Sequence, residues 1–144
     1  MRIGGLDVGE KTIGVALSDE LGLTAQALEV IRRRSLEQDL ARLDEIARHY
    51  GVVRWVVGMP RNMNGTYGPR AELTRAFMER LAGHSGLPVE AWDERLSTMA
   101  AERVLLEADV SRARRRKVID KMAAAVILQG YLDARAARPP ESFV

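Results

Sequence analysis

The chain has no cysteine and only two histidines, His49 and His84, among its 144 residues. The lack of cysteine excludes disulfides, thiolate nucleophiles and zinc sites built on sulfur. Neither histidine lies in a spaced motif, so both are interpreted as surface or helix-end residues. A metal site in this chain would therefore be built from carboxylates, which favour hard ions such as Mg²⁺ or Mn²⁺.

Long apolar runs and a large excess of one charge are also missing. No segment approaches the length that spans a bilayer, and the chain opens on a predicted strand instead of a signal peptide. The content of 47% hydrophobic and 29% charged residues is typical of a globular protein. We therefore expect a single cytoplasmic domain over residues 1–137 and a frayed tail over 138–144. The net charge of +2 is too small to indicate a nucleic-acid partner by itself.

Strand and helix patterns follow one another along the whole domain. The first two strands are joined by a turn so short that they must pair antiparallel. Ser35 and Gln38 form a predicted capping box at the start of a helix, and the apolar run 54–60 predicts a central parallel strand. The order is predicted as β-β-β-α-β-α-β-α-α, an α/β fold with a mixed five-stranded sheet and helices on both faces. The predicted strands are 1–7, 13–18, 25–32, 54–60 and 88–92, and the predicted helices begin near residues 35, 69, 97 and 117.

Three acidic residues fall where such a fold would collect ligands. Asp7 closes the first strand and Glu94 follows the fifth, and the carboxyl ends of parallel strands share one edge of a sheet. Asp120 is predicted in the first turn of the last helix, on a face of small apolar residues. Simpler explanations are a turn-forming Asp7, a Glu94 that is solvated or paired with Arg95, and an Asp120 that interacts with the helix dipole. Taken together, the three acids favour a metal site.

A carboxylate cluster suits the cleavage of a phosphodiester. Divalent ions held by the cluster would activate a water, stabilise charge on the phosphorus and assist the leaving oxygen. Without metal the carboxylates repel one another, which raises their pKa values, so activity should depend on Mg²⁺ or Mn²⁺. The sequence therefore predicts a nuclease, a hydrolase of ester bonds, whose catalytic and metal-binding residues are Asp7, Glu94 and Asp120.

Cationic and amide side chains near these acids are candidates for contact with nucleic acid. Lys11 lies in the turn after Asp7, and a loop rich in glycine and asparagine follows the fourth strand beside a helix N-terminus. The basic run 112–117 is expected to precede the last helix, where it is either a solvated linker or a phosphate contact. No aromatic residue is interleaved with it, so base stacking is not indicated. The candidates are Lys11, Arg61, Asn62, Arg70, Arg114, Arg115, Arg116 and Lys117.

Four segments together resemble the bacterial YqgF/RuvX family. They are LDVGEKTIGVALSD at 6–19, VGMP with NMNGT and Gly68 at 57–68, DERLST at 93–98, and IDKMAAAVILQGYLD at 119–133. The resemblance covers nearly the whole chain in order, and the four motifs are far more specific together than singly. It implies a ribonuclease H-like fold related to Holliday-junction resolvases, with Asp7, Glu94 and Asp120 as the matching acids. It also adds Arg95 to the candidate nucleic-acid contacts.

The resemblance implies a substrate as well. The resemblance implies that the family members mature the 5′ end of the precursor of 16S ribosomal RNA. Precursor rRNA is therefore the first expected partner, either free or within a ribosomal precursor particle. Branched DNA is the second, although the resolvases carry their second acid on the fourth strand, where this chain has Val57-Gly58-Met59-Pro60. A non-catalytic RNA- or ribosome-binding module and an actin-like ATPase domain are further alternatives. A membrane partner is not expected, and both a monomer and a homodimer remain open.

Overall fold

The described part of the computed structural model comprises residues 1–60, 68–93 and 112–137, without the side chains of 112–121 and 137. The predicted helix from residue 97 and the predicted tail 138–144 lie outside it. Its elements, in chain order, are β1 (Arg2–Val8), β2 (Thr12–Ser18), β3 (Ala25–Arg32), α1 (Leu36–Tyr50), β4 (Val52–Met59), α2 (Pro69–Ser85), β5 (Val89–Asp93) and α3 (Arg112–Ala137).

One mixed sheet contains the five described strands in the order β3-β2-β1-β4-β5. β1 pairs antiparallel with β2 and parallel with β4, and β4 pairs parallel with β5. The predicted hairpin and the predicted central parallel strand are thus confirmed. Since β1, β4 and β5 point the same way, they end at one edge of the sheet, which we call the carboxyl edge.

Helices cover both faces of the sheet, as predicted. α1 and α2 pack on one face, which we call the α1/α2 face, and its buried core includes Leu6, Ile13, Val15, Leu40, Leu43, Ile46, Trp55, Val57, Phe77 and Leu81. α3 packs on the other face, which we call the α3 face, and its buried core includes Ile3, Ala16, Val56, Ala124, Ile127, Leu128 and Leu132.

The first two helices begin and end where local chemistry dictates. The Ser35 hydroxyl accepts a hydrogen bond from the backbone N–H of Gln38 at 3.2 Å, which confirms the predicted start of α1. Pro69 occupies the first turn of α2, as expected for a residue without a backbone N–H. Each helix ends at a glycine with positive φ, 72° at Gly51 and 70° at Gly86, a conformation that other residues adopt at a cost.

Two adjacent glycines in β1 allow both layers to pack closely. A Cβ at Gly4 would lie 2.3 Å from the ring of Trp55 on the α1/α2 face. A Cβ at Gly5 would lie 2.7 Å from Cβ of Leu128 and 3.1 Å from the carbonyl oxygen of Ala124, both on α3. Glycine weakens a strand by propensity, so packing is the reason for this pair. In particular, Gly5 lets α3 approach β1 more closely than a side chain would allow.

The last helix begins earlier than predicted. α3 starts at Arg112, so the basic run 112–117 forms its first turns and is neither a linker nor a segment before the helix. Asp120 is accordingly the ninth residue of α3, in its third turn. Its explanation as a first-turn acid beside the helix dipole is therefore wrong, because that effect fades within the first turn. The prediction failed because the run lacks apolar periodicity, although arginine, lysine and alanine are good helix formers.

No helix in the described ranges has the length and apolar character needed to cross a bilayer.

Candidate active site

Asp7 lies close to the carboxyl edge, inside β1. It pairs with Gly14 of β2, so its explanation as a turn-forming residue is wrong. On the other side, the register that pairs Leu6 with Val57 brings Gly58 of β4 beside Asp7. Directly opposed positions on adjacent strands are the ones whose side chains touch. Because both of these neighbours are glycines, neither adjacent strand sets a side chain directly beside the Asp7 carboxylate.

α3 runs antiparallel to β1 across the face on which Asp7 lies. Ile3, near the start of β1, shares a cleft with Leu132, near the end of α3. Gly5, further along β1, packs against Ala124, which lies eight residues before Leu132 in α3. Alternate residues of a strand share a face, so Asp7 follows Gly5 on the α3 face. The N-terminal part of α3 therefore lies toward the carboxyl edge.

The backbone brings positions 7 and 120 to the same end of the contact between β1 and α3. Asp7 lies two residues beyond Gly5, or about 6.6 Å along the strand. The same distance along a helix corresponds to about four residues. Four residues before Ala124 is Asp120, on the same helical face as Ala124. The side chain of Asp120 lies outside the described residues, so this correspondence concerns the backbone alone.

Gln129 ties α3 to the loop between β2 and β3. Its side-chain oxygen accepts a hydrogen bond from the N–H of Ala25 at 2.8 Å, and its side-chain nitrogen donates to the carbonyl of Leu23 at 3.0 Å. The loop is itself closed by Asp19, whose carboxylate accepts the N–H groups of Leu23 and Thr24 at 2.7 and 3.2 Å. These two hydrogen bonds lower the pKa of Asp19. Asp19, the last residue of the first family motif, thus has a structural role.

Aromatic and charged contacts tie α3 to β4 and β5. The rings of Trp92 and Tyr131 meet edge to face, with centroids 5.9 Å apart. Arg54 donates one hydrogen bond to the Tyr131 hydroxyl at 3.2 Å and another to the carboxylate of Glu90. The Tyr131 bond, followed by the charge of Glu90, raises the pKa of Arg54. α3 is therefore held on both sides of β1.

The last residue of β5, Asp93, lies on the opposite face from Asp7. The register sets Trp92 beside Gly58 and Asp93 beside Met59. Trp92 packs in the α3 layer, so the alternation of side chains turns Asp93 toward the other layer. The sheet therefore separates Asp93 from Asp7. Four further predicted site residues lie outside the described residues: Arg61, Asn62, Glu94 and Arg95.

Two of the predicted phosphate contacts are described with their side chains, and both lie near the carboxyl edge. Lys11 is exposed in the turn between β1 and β2. Arg70 is exposed in the first turn of α2 and lines a cleft together with Gly9. The other four belong to the first turns of α3, at the end of that helix that lies toward the carboxyl edge, and their side chains are not described: Arg114, Arg115, Arg116 and Lys117.

An ion pair that the sequence reasoning missed holds the turn beside Asp7. Asp39 is only 2% exposed, and its carboxylate accepts hydrogen bonds from Nε of Arg33 and from the N–H of Arg34, both at 3.2 Å. Arg33 also donates through Nη1 to the carbonyl of Gly9 at 2.9 Å. Two signals could have revealed this pair: the three consecutive arginines 32–34 at the end of β3, and an aspartate on the apolar side of α1.

The donor types at the carboxyl edge fit a hard cation. The described residues hold no group of three His, Cys, Asp or Glu side chains that could bind a metal, and the side chains of two predicted ligands, Glu94 and Asp120, are not among them. Histidine is engaged elsewhere, since His84 pairs with Asp44 at 2.7 Å and His49 packs on Tyr50. The carboxylate of Asp7 offers the oxygen ligands that Mg²⁺ and Mn²⁺ prefer.

The strand order and the helices on both faces define a ribonuclease H-like fold of the resolvase type, as expected. RuvC of Thermus thermophilus, solved with a Holliday junction substrate, matches with a TM-score of 0.59 at 19% identity, over 94% of this chain and 96% of that one. The fowlpox virus Holliday junction resolvase matches with a TM-score of 0.55 at 15% identity, over 93% and 99%. At these identities the likeness concerns the fold alone.

The chain belongs to the RuvX family. The family model described as "RuvX: Holliday junction resolvase" matches residues 1–134. Two relatives carry the name "Putative pre-16S rRNA nuclease". That of Moorella thermoacetica is 67% identical over 133 residues, 92% of this chain and 95% of its own length. That of Desulforamulus reducens is 64% identical over 136 residues, 94% and 99%. Membership of this family makes the chain an ester-bond hydrolase of the nuclease class, as predicted.

Proposed function

We propose that the chain is a nuclease dependent on a divalent metal, with its active site at the carboxyl edge on the α3 face. The observation that carries this proposal is the position of Asp7. Asp7 lies between two glycines, Gly14 on β2 and Gly58 on β4. It also lies two residues after Gly5, where β1 and α3 are in close contact, on the side of that contact toward position 120. Glycine at the directly opposed position of each adjacent strand keeps the edge of the sheet narrow beside position 7, which suits the approach of a phosphate.

Asp7, Glu94 and Asp120 would hold Mg²⁺ or Mn²⁺. Trp92 packs in the α3 layer and Asp93 is turned to the other face, so Asp93 is not proposed as a ligand. Glu94, the next acid in the sequence, is proposed in its place. The bound cations would activate a water and neutralise charge on the phosphate. The three carboxylates would fix where that water and that phosphate meet.

Cations around the edge would bind the nucleic-acid backbone and orient it. Lys11, in the turn after β1, and Arg70, which lines a cleft with Gly9, are both exposed. Contacts to phosphates set register without reading sequence. We therefore expect recognition of shape, with binding that weakens as salt is raised. The remaining proposed contacts are Arg61, Asn62, Arg95, Arg114, Arg115, Arg116 and Lys117.

The substrate we propose is the precursor of 16S ribosomal RNA, matured at its 5′ end in the cytoplasm. The names of the relatives from Moorella and Desulforamulus support this choice. Resolution of branched DNA is the second candidate, favoured by the description of the family model. A resolvase would need a symmetric dimer, since a four-way junction is cut twice. The mass in solution and the preferred substrate therefore separate the two candidates.

The decisive experiment compares Asp7→Asn with Asp93→Asn, a matched change at the same edge on the opposite face. Both variants and the wild type are assayed with Mg²⁺, with Mn²⁺ and with chelator, on precursor 16S rRNA and on a four-way DNA junction. We expect Asp7→Asn to lower the cleavage rate on the order of 10³-fold, as when a group that stabilises transition-state charge is removed. Asp93→Asn should retain most of the activity, and Asp7→Asn should unfold at the wild-type temperature.

A binding measurement tests the metal separately from turnover. Mn²⁺ or Mg²⁺ should raise the melting temperature of the wild type, because a ligand that binds only the native state stabilises it. The same titration should leave Asp7→Asn unchanged. Equal cleavage by Asp7→Asn and the wild type, with contaminating nuclease excluded, would refute the site. No cleavage of either substrate by the wild type would favour a non-catalytic RNA- or ribosome-binding module.

A further inference from the structure

A cleft opens on the α1/α2 side of the carboxyl edge, next to the turn that follows Asp7. Its cavity volume is about 290 Å³, and it lies between Gly9 in that turn and the outer side of α2. Three arginines line it, Arg33, Arg70 and Arg80. We call it the arginine cleft. Only Arg70 among these belongs to the nucleic-acid contacts proposed above.

Arg33 is held in this cleft as a fixed cation. Its Nε and Nη1 are bound to Asp39 and to the Gly9 carbonyl, and its guanidinium lies 5.6 Å from the ring centroid of Phe77. Neither of those hydrogen bonds uses Nη2. A guanidinium that is already oriented loses little conformational freedom when it binds a phosphate. Arg33 is therefore a prepared anion contact at the edge of the site.

The charges of the cleft form a line and not a single point. Arg70 and Arg80 are ten residues apart on α2, or about 15 Å along the helix axis. Asp39 balances Arg33, and Glu10 is the one acidic residue among those that line the cleft, so Arg70 and Arg80 leave a positive surplus. A row of cations that leads away from the carboxyl edge fits a polyanion better than an isolated ion.

The lining between these cations is apolar and partly open to solvent. Leu73 on α2 is 65% exposed, while Phe77, one turn further along, is buried beneath Arg33. Apolar surface flanked by cations can contact the bases of a strand while the cations bind its phosphates. The exposure of Leu73 has no explanation in the packing of α2 itself.

We propose that the arginine cleft binds a single-stranded flank of the nucleic acid that is cut beside Asp7, through its phosphodiester backbone. This inference rests on the proposed nuclease function. The cut would occur on the α3 face, whereas the cleft lies on the other face, so the strand must bend over the turn at Gly9. Duplex DNA has a persistence length of about 150 base pairs and resists so sharp a bend. A single strand makes it readily.

The test uses two substrates, the same RNA hairpin with and without a single-stranded extension. Affinity is measured by fluorescence anisotropy without divalent metal, over a series of salt concentrations, for the wild type, Arg80→Gln and Arg75→Gln. Arg75 lies on α2 but does not line the cleft, so it is the matched control. We expect Arg80→Gln to weaken binding of the extended hairpin about tenfold, the value of one charge-assisted hydrogen bond. The salt slope should fall by about 0.7, the value for one phosphate of a single strand.

The remaining outcomes decide the inference in either direction. Unchanged binding of the plain hairpin by Arg80→Gln, and unchanged binding of both RNAs by Arg75→Gln, would support it. An equal effect of Arg80→Gln on both hairpins, or no effect, would overturn it. Inorganic phosphate is added in a further titration at constant ionic strength. If it abolishes the preference for the extended hairpin, the cleft binds a free anion, and this result would also overturn the inference. Because this assay needs no cleavage, failure of the nuclease proposal in the Asp7→Asn experiment remains distinguishable from failure of the cleft.

Discussion

On the α1/α2 face of the sheet the side chains of Trp55, Leu43 and Leu81 have no exposed surface, and most of the buried core residues are large. On the α3 face, the contact nearest the proposed site is made by Gly5 and Ala124, two of the smallest residues available. Large buried side chains remove more apolar surface from water and so add more stability. Small residues add less, but they let a helix and a strand approach closely.

The contrast separates two tasks within one sheet. Among the described residues the larger buried core lies in the α1/α2 layer, while the α3 layer sets the distance between β1 and the helix that carries Asp120. Gly4 and Gly5 show both tasks in adjacent residues, since one makes room for a tryptophan ring and the other for a helix backbone. The following changes test whether stability and activity separate in this way.

The largest effect on stability is expected from Trp55→Ala. Removal of a fully buried tryptophan should lower the free energy of unfolding by about 3–5 kcal/mol, with no change in cleavage per folded molecule. Denaturant titration and an active-fraction assay measure the two quantities. Trp55→Phe keeps the test usable if the alanine variant does not fold. Its indole N–H has no hydrogen-bond partner within the described residues, so phenylalanine sacrifices volume alone. A loss of activity per folded molecule would show that the α1/α2 layer also affects catalysis and not only stability.

Gly5→Ala and Gly4→Ala form the next pair. Each inserts a methyl group into a contact below 3 Å, so each should cost about 1–3 kcal/mol of stability. Only Gly5→Ala displaces α3, and a displacement of about 1 Å can lower a rate about a hundredfold. Cleavage rates normalised to folded protein distinguish the two variants. Equal rates in both would show that the α3–β1 distance does not matter to the reaction.

Gln129→Met should have a smaller effect, because it removes the two hydrogen bonds that tie α3 to the β2–β3 loop. We expect a loss of about 1–2 kcal/mol in the free energy of unfolding, measured by thermal or denaturant unfolding. The exposed Gln26→Met on β3 is the control and should change stability little. A Gln129 variant as stable as this control would mean that apolar packing alone positions α3.

The smallest effect concerns pH and Asp19. Because the hydrogen bonds from Leu23 and Thr24 hold its folded pKa below the ordinary value of 3.8, ionised Asp19 stabilises the native state above that pH. This contribution is lost as the pH falls through the folded pKa. The stability difference between wild type and Asp19→Asn should therefore be constant near neutral pH and should shrink below about pH 4. A difference that grows in acid would contradict the structure of this loop.

Several features could be predicted from local sequence because they depend on neighbouring residues. Ser35 begins a helix because its hydroxyl reaches an N–H three residues on, and the apolar run in β4 indicates a strand buried on both faces. Where local signals conflicted, the prediction failed. The run 112–117 has the intrinsic propensity of a helix but not its apolar periodicity, so α3 begins five residues earlier than predicted.

The sequence by itself determined the order of the described elements, the position of Asp7 near the end of a strand, and a donor set without cysteine. The tertiary structure decided which face each acid occupies. It placed Asp7 on the α3 face and Asp93 on the other, and it joined Arg33 to Asp39 beside the turn at Gly9. The reason is that periodicity reports which residues of one segment share a face. The register between β1, β4 and β5, and the distance that Gly5 allows, are set only when segments far apart in the chain pack together.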